Sequence, residues 1–188
     1  MAGHRRSGSG WRGSRGRRAV WATAALLWCV PWVAMQFTRE VNWDLADFAV
    51  FGALLFAVCG TFDLAASATG NRAYRAASGV ALAAAFLLIW VNLAVGIIGD
   101  EHHLANGMYV GVLAIGLVGA LLARFRPEAM ARALVGTALA QAGVAVIALA
   151  AGWGSTLLVT GFFVALWLTS ARLFRRAARQ QGLAGAVP

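Results

Sequence analysis

Six apolar runs, a charge content far below that of soluble proteins, and arginines gathered in the gaps between runs predict an all-α fold. The expected architecture is a polytopic membrane protein, a bundle of six transmembrane helices with the N-terminus and C-terminus both cytoplasmic. Hydrophobic residues make up 61% of the 188 and charged residues 12%, where a soluble domain carries about 25% charged. The net charge of +9 rests on arginine alone, with no lysine in the chain. In a soluble protein such an excess would point to nucleic acid. Here the arginines flank apolar runs, so the implied partner is the lipid bilayer and not nucleic acid. Arginine-only basic usage in a chain rich in alanine and glycine suggests a GC-rich bacterial gene and hence a bacterial inner membrane.

Residues 1–18 are mostly glycine, serine and arginine with almost nothing to bury, which predicts a disordered cytoplasmic tail whose six arginines face anionic lipid heads. Helix one follows over 19–38 without a charge, long enough to cross a hydrocarbon core of about 30 Å. Gln36, Phe37 and Thr38 follow its apolar core in place of a small-x-small site, so it is expected to be retained rather than removed as a signal. Pro31 should free a carbonyl one turn earlier and kink it. Helix two covers 47–66, with Asp44 and Asp47 placed to cap its positive end. Helix three covers 76–98, after N-R-A-Y-R. Helix four covers 106–123 and is closed by R-F-R-P-E. Pro127 and Glu128 then open helix five, 128–151, because proline lacks the N–H that a helix start leaves unpaired. A Gly-Trp-Gly-Ser turn leads to helix six, 155–174, and 177–188 form a second cytoplasmic tail.

The arginines orient this bundle, since basic residues near span ends stay on the cytoplasmic side. With the N-terminus inside, fifteen of the 16 arginines lie inside and only Arg39 lies outside. Glu40, Asp44, Asp47, Asp100 and Glu101 fall on the outer side. Trp21 and Tyr74 sit at the inner boundary and Trp43, Tyr109 and Trp153 at the outer one, where amphipathic rings prefer to be.

The segments R-A-Y-R-A-A-S-G-V-A-L-A-A-A-F-L-L-I-W-V-N-L-A-V-G-I-I-G-D-E and A-N-G-M-Y-V-G-V-L-A-I-G-L-V-G-A-L-L-A-R-F-R-P-E-A-M-A-R-A-L resemble a group of small uncharacterised bacterial multi-pass inner-membrane proteins. The resemblance extends over most of 41–176. It implies the class and the membrane, and it carries over no functional residue.

Polar groups inside or beside the spans are the candidate sites. Asp100, Glu101, His102 and His103 form an outer turn whose imidazoles and carboxylates suit a divalent metal. Adjacent histidines seldom turn onto one ion, however, and the competing reading is a solvated turn in which Asn106 and Gly107 cap helix four. Asp63 is the acid deepest in an apolar run, about 24 Å from Asp47 at 1.5 Å per residue. That depth favours an interfacial ion pair with Arg72 or Arg75 over a proton or ion site. Gln141 and Asn92 are the amides within spans, either interhelical packing devices or points on a polar path together with Asp63. Trp21, Trp28, Trp32 and Met35 make one stripe on helix one, read as a packing or lipid-facing surface, with an aromatic pocket shared with Trp90 as the alternative. Gly107, Gly111, Gly116 and Gly119 give helix four a packing seam.

No histidine lies in a span, the two cysteines, Cys29 and Cys59, are isolated, and no phosphate loop, G-x-S-x-G or H-E-x-x-H occurs. No cofactor is implied, and catalysis is disfavoured. The leading functional expectation is an accessory or assembly component acting through helix–helix contacts with other membrane subunits or in a homo-oligomer. The alternatives are a small transporter or channel for a small or apolar solute, and an outer-side metal-binding membrane protein.

Overall fold

A computed structural model describes residues 10–99, 102–153 and 156–184. Among these residues the regular structure is entirely helical, and six helices are long and apolar enough to cross a membrane. The chain is thus an all-α, integral, multi-pass membrane protein. It divides into two compact units, Met1–Leu64 and Ala65–Pro188.

The first unit holds α1, Gly10–Phe37, and all but the last turn of α2, Leu45–Ser67. Helix α1 starts within the stretch expected as a tail, because extending an existing helix avoids the cost of nucleating one. Asp44 and Asp47 cap α2 reciprocally: the Asp47 amide donates to Asp44 Oδ1 at 2.9 Å and the Asp44 amide to Asp47 Oδ2 at 3.0 Å. Aromatic edges hold the pair together, Trp21 against Phe56 at 5.4 Å and Trp28 against Phe48 at 5.7 Å between ring centroids. Trp28 Nε1 donates to the Phe48 carbonyl at 3.1 Å. A Cβ on Gly52 would stand 3.0 Å from that same nitrogen, so glycine at this position is what lets the indole lie on α2.

The second unit contains α3, Arg72–Ala94; α4, Met108–Leu122, preceded by a 3-10 turn at Leu104–Gly107; α5, Pro127–Ala150; and α6, Leu157–Ala184. Helix α6 packs along both α5 and α3, and α5 packs along α4, whereas α3 and α4 barely touch despite being chain neighbours. The α5 core face reads Ala131, Leu134, Ala138, Gln141, Ala145 and Ala148, a three-to-four-residue spacing that defines one side of a helix. Alanine at so many contact positions lets helix backbones approach closely where the surrounding lipid offers no hydrophobic drive. Ser170 fastens α6 to α3 by donating to the Ala77 carbonyl at 2.7 Å.

Two spans differ from expectation. Helix three stops at Ala94 rather than at 98, because Gly96 and Gly99 take positive φ values of 69° and 65° that break the helix inside a still apolar stretch. Helix six runs through R-R-A-A-R-Q-Q to Ala184, past the expected start of the tail at 177.

The α4–α5 turn places two successive non-glycine residues, Arg124 and Phe125, at φ 47° and 58°. Each costs about 1–2 kcal/mol relative to ordinary backbone. Arg126 is extended, as a residue before proline must be, and Pro127 opens α5. From the start of α3, the buried Tyr74 donates its hydroxyl to the Phe125 carbonyl at 2.9 Å while its ring meets Phe174 of α6 at 5.0 Å. One side chain therefore ties α3, α6 and the strained turn together. Tyr74→Phe keeps the ring and removes the bond, and should cost about 1 kcal/mol in unfolding free energy. Unfolding in mixed detergent measures it, and an unchanged midpoint would mean the turn holds itself.

Candidate functional site

The richest concentration of polar contacts lies where α3 passes to α4. Residues 95–99 and 102–103 are not helical, so their backbone groups need partners from elsewhere. Asn106 supplies them. Its Oδ1 accepts from the amides of Ile97 and Ile98 at 3.0 and 2.9 Å, and its Nδ2 donates to the Ile98 carbonyl at 3.1 Å. Its own carbonyl accepts from Asn92 Nδ2 at 3.2 Å, which brings the end of α3 into the same knot. Asn106 is 5% exposed and Ile98 is fully buried. Gly107 stands at the N-cap of α4, as expected, without a side-chain bond; Asn106 instead binds the loop behind it, and His103 caps the 3-10 turn, its Nδ1 accepting from the Ala105 amide at 3.2 Å. His103 also stacks edgewise on Trp153 at 5.3 Å and abuts Gly99, where a Cβ would meet its ring at 3.3 Å.

That usage bears on the metal candidates. With Nδ1 of His103 engaged, only its Nε2 is left for an ion, while His102 is exposed. Asp100 and Glu101 lie outside the described residues. Among the described residues no three His, Cys, Asp or Glu side chains are grouped as a metal site would need.

Beside the knot stands a group that the sequence did not single out. Tyr109, in the first turn of α4, is 1% exposed and reaches to Thr156 and Thr160 at the start of α6, themselves 4% and 5% exposed. The Tyr109 hydroxyl lies against those of Thr160 and Thr156. Deeper in the same unit, both amide atoms of the fully buried Gln141 and the indole nitrogen of Trp167 are without partners. Counted at 1.5 Å per residue, Gln141 and Trp167 lie about 14 and 15 Å from the α5–α6 turn, so they share a level near mid-membrane. Asn92, the other amide of the expected path, spends its Nδ2 on the knot and keeps an unpartnered Oδ1.

Asp63 has a different role. Its Oδ2 accepts from Arg17 Nη2 at 2.9 Å and from Trp21 Nε1 at 3.2 Å, within the α1–α2 unit. An ion pair does form, with Arg17 in place of Arg72 or Arg75. The tryptophan stripe divides as well: Trp21 and Trp28 pack on α2 beside a groove of about 200 Å³, while Trp32 is 61% exposed. The glycines of α4 separate into two faces. An added Cβ at Gly119 would stand 2.8 Å from Ala133 Cβ, and at Gly116 3.2 Å from Thr137 Oγ1, so these two seat α4 on α5. At Gly107 and Gly111 it would meet nothing within 4 Å.

The fold and these contacts define a multi-pass membrane protein with a pinned interhelical loop and a buried series of polar groups behind it. No protein-family model, curated protein or solved structure matches the chain.

Asn106→Ala strands the Ile97 and Ile98 amides in a buried setting and should cost about 3 kcal/mol or more. Asn106→Asp keeps both acceptor contacts, loses one donor, and should cost less. Thermal unfolding in detergent ranks the two, and equal losses would show that the acceptor role does not dominate.

Proposed function

We propose that the chain is an accessory or assembly component of a bacterial inner membrane, with both termini cytoplasmic, acting through helix–helix contacts rather than catalysis. The observation that supports this most is the outward face of α4. Gly107, Gly111 and Ala114, followed by Val118 and Leu121, recur at successive turns and are all exposed. Small residues at i, i+4 and i+7 let a second helix approach backbone to backbone, the contact that drives association where lipid and leucine are equally apolar. The occupant is a helix of another membrane subunit or of a second copy. The arginine distribution supports the orientation. A second reading, a small transporter or channel, draws on the unpaired groups of Gln141 and Trp167.

Two substitutions separate association from folding. Gly111→Leu fills open space, so the chain should fold normally while recovery of a stoichiometric partner, or of the oligomer, in gentle detergent falls about tenfold, the loss that 1.4 kcal/mol gives. Gly119→Leu drives into Ala133 and should lower stability itself. Mass spectrometry of the purified protein reads both; a chain that always comes alone, or Gly111→Leu with undiminished recovery, contradicts the proposal.

Orientation has its own check, made after Cys29 and Cys59 are replaced by alanine. A membrane-impermeant maleimide on intact cells should label His102→Cys and spare Arg126→Cys, and the reverse pattern would invert the bundle.

A further inference from the structure

Helix α6 is 28 residues long, about 42 Å at 1.5 Å per residue, against about 30 Å of hydrocarbon. Its last turns therefore leave the core, and arginines stand at that exit. Arg172, Arg175, Arg176 and Arg179 follow i, i+3, i+4 and i+7, so they share one face, and all four are exposed. Ala171, Phe174 and Ala177 take the opposite face and are 2%, 0% and 0% exposed. Phe174 meets Tyr74 and Ser170 bonds to the Ala77 carbonyl, which puts Arg72 and Arg75, at the start of α3, level with this stripe. Neither α3 nor α6 carries a carboxylate. Glu128 on α5 is the one acid among the described residues of this unit, and none of the six arginines has an ion pair or hydrogen bond with a described side chain.

We propose that the α6 stripe binds the head of an anionic phospholipid carrying two phosphodiesters, the chemistry of cardiolipin. Residues four apart on a helix are neighbours, about 5–6 Å between Cβ atoms. Arg172 with Arg176 and Arg175 with Arg179 are two such pairs, side by side, one for each phosphate. A guanidinium holds phosphate oxygens through paired N–H donors, and its long stem lets the charge settle where the phosphate lies. The stripe extends about 10 Å along the helix axis, through the depth at which lipid headgroups pack. Lipid heads therefore lie beside the stripe, where a soluble polyanion would have to approach from its far end. Membrane topology asks only for basic residues near span ends. It does not ask for them on one face, level with those of a second helix and without a carboxylate on either. The site goes beyond the helix-contact role and stands or falls separately from it, since it uses α6 and not α4.

The test is native mass spectrometry of the purified full chain in gentle detergent, titrated with cardiolipin or with phosphatidylglycerol at equal phosphate. Cardiolipin should bind about tenfold more tightly or better, because joining two phosphates makes the second contact intramolecular. Arg175→Gln/Arg176→Gln takes one arginine from each pair and should weaken cardiolipin binding about tenfold. Arg126→Gln/Arg132→Gln removes the same charge from the same end, which the Tyr74 bond to the Phe125 carbonyl identifies, and should leave that binding nearly unchanged. Both double variants should keep the wild-type circular dichroism, and the wild-type lipid comparison decides the matter even if one does not. Equal affinity of the wild type for the two lipids overturns the site. So do equal losses in the two double variants, which would make the arginines a diffuse charge. Sodium pyrophosphate that displaces bound cardiolipin at matching phosphate would make free phosphate the ligand, and overturns it as well.

Discussion

A non-helical stretch between two membrane helices must find a partner for every buried backbone group, and lipid supplies none. Between α3 and α4 a single side chain pairs three such groups. Asn106 pairs with two amides and one carbonyl of Ile97 and Ile98 and, through its own carbonyl, with Asn92. The consequences spread outward from there. With Ile98 drawn inward and buried, the chain can reverse without exposing unpaired backbone. His103 is free to cap the next helical turn, and Tyr109 enters the interior toward α6.

The same constraint gives the other end of the unit its form. There the strained α4–α5 turn is held by the Tyr74 hydroxyl, so each end of the α3–α6 bundle carries a buried tyrosine reaching between elements. The two differ in one respect: Tyr74 donates to a backbone carbonyl, while Tyr109 ends among the hydroxyls of Thr156 and Thr160. The outward α4 face is a separate feature, where a Cβ added at Gly107 or Gly111 would meet nothing within 4 Å.

The spans were legible because charge and proline punctuate them, and the reciprocal cap at Asp44 and Asp47 was legible because capping is local. The end of α3 was not. V-G-I-I-G continues an apolar run, and only the φ values of Gly96 and Gly99 reveal a loop. Asn106 looked like a helix cap because asparagine before an apolar run usually is one; its actual partners lie eight and nine residues back, where no local rule reaches. Arg17 and Asp63 are 46 residues apart, so the nearer arginines drew the expectation. The Tyr109 contact with Thr160 was hidden for the same reason, since the two meet only once α6 is in place. One miss was avoidable. Gly111 to Gly116 advances about 140° around a helix of 3.6 residues per turn, so the four glycines could never have shared one face.

Hydrogen exchange at single-residue resolution, with the protein in lipid nanodiscs, tests the pinned loop most directly. If Asn106 organises the passage from α3 to α4, the Ile97 and Ile98 amides exchange as slowly as those of neighbouring helix interiors, although neither residue is helical, and Asn106→Ala speeds both while leaving α5 unchanged. Rapid exchange of the two amides in the wild type, at the rate of an open loop, would contradict it.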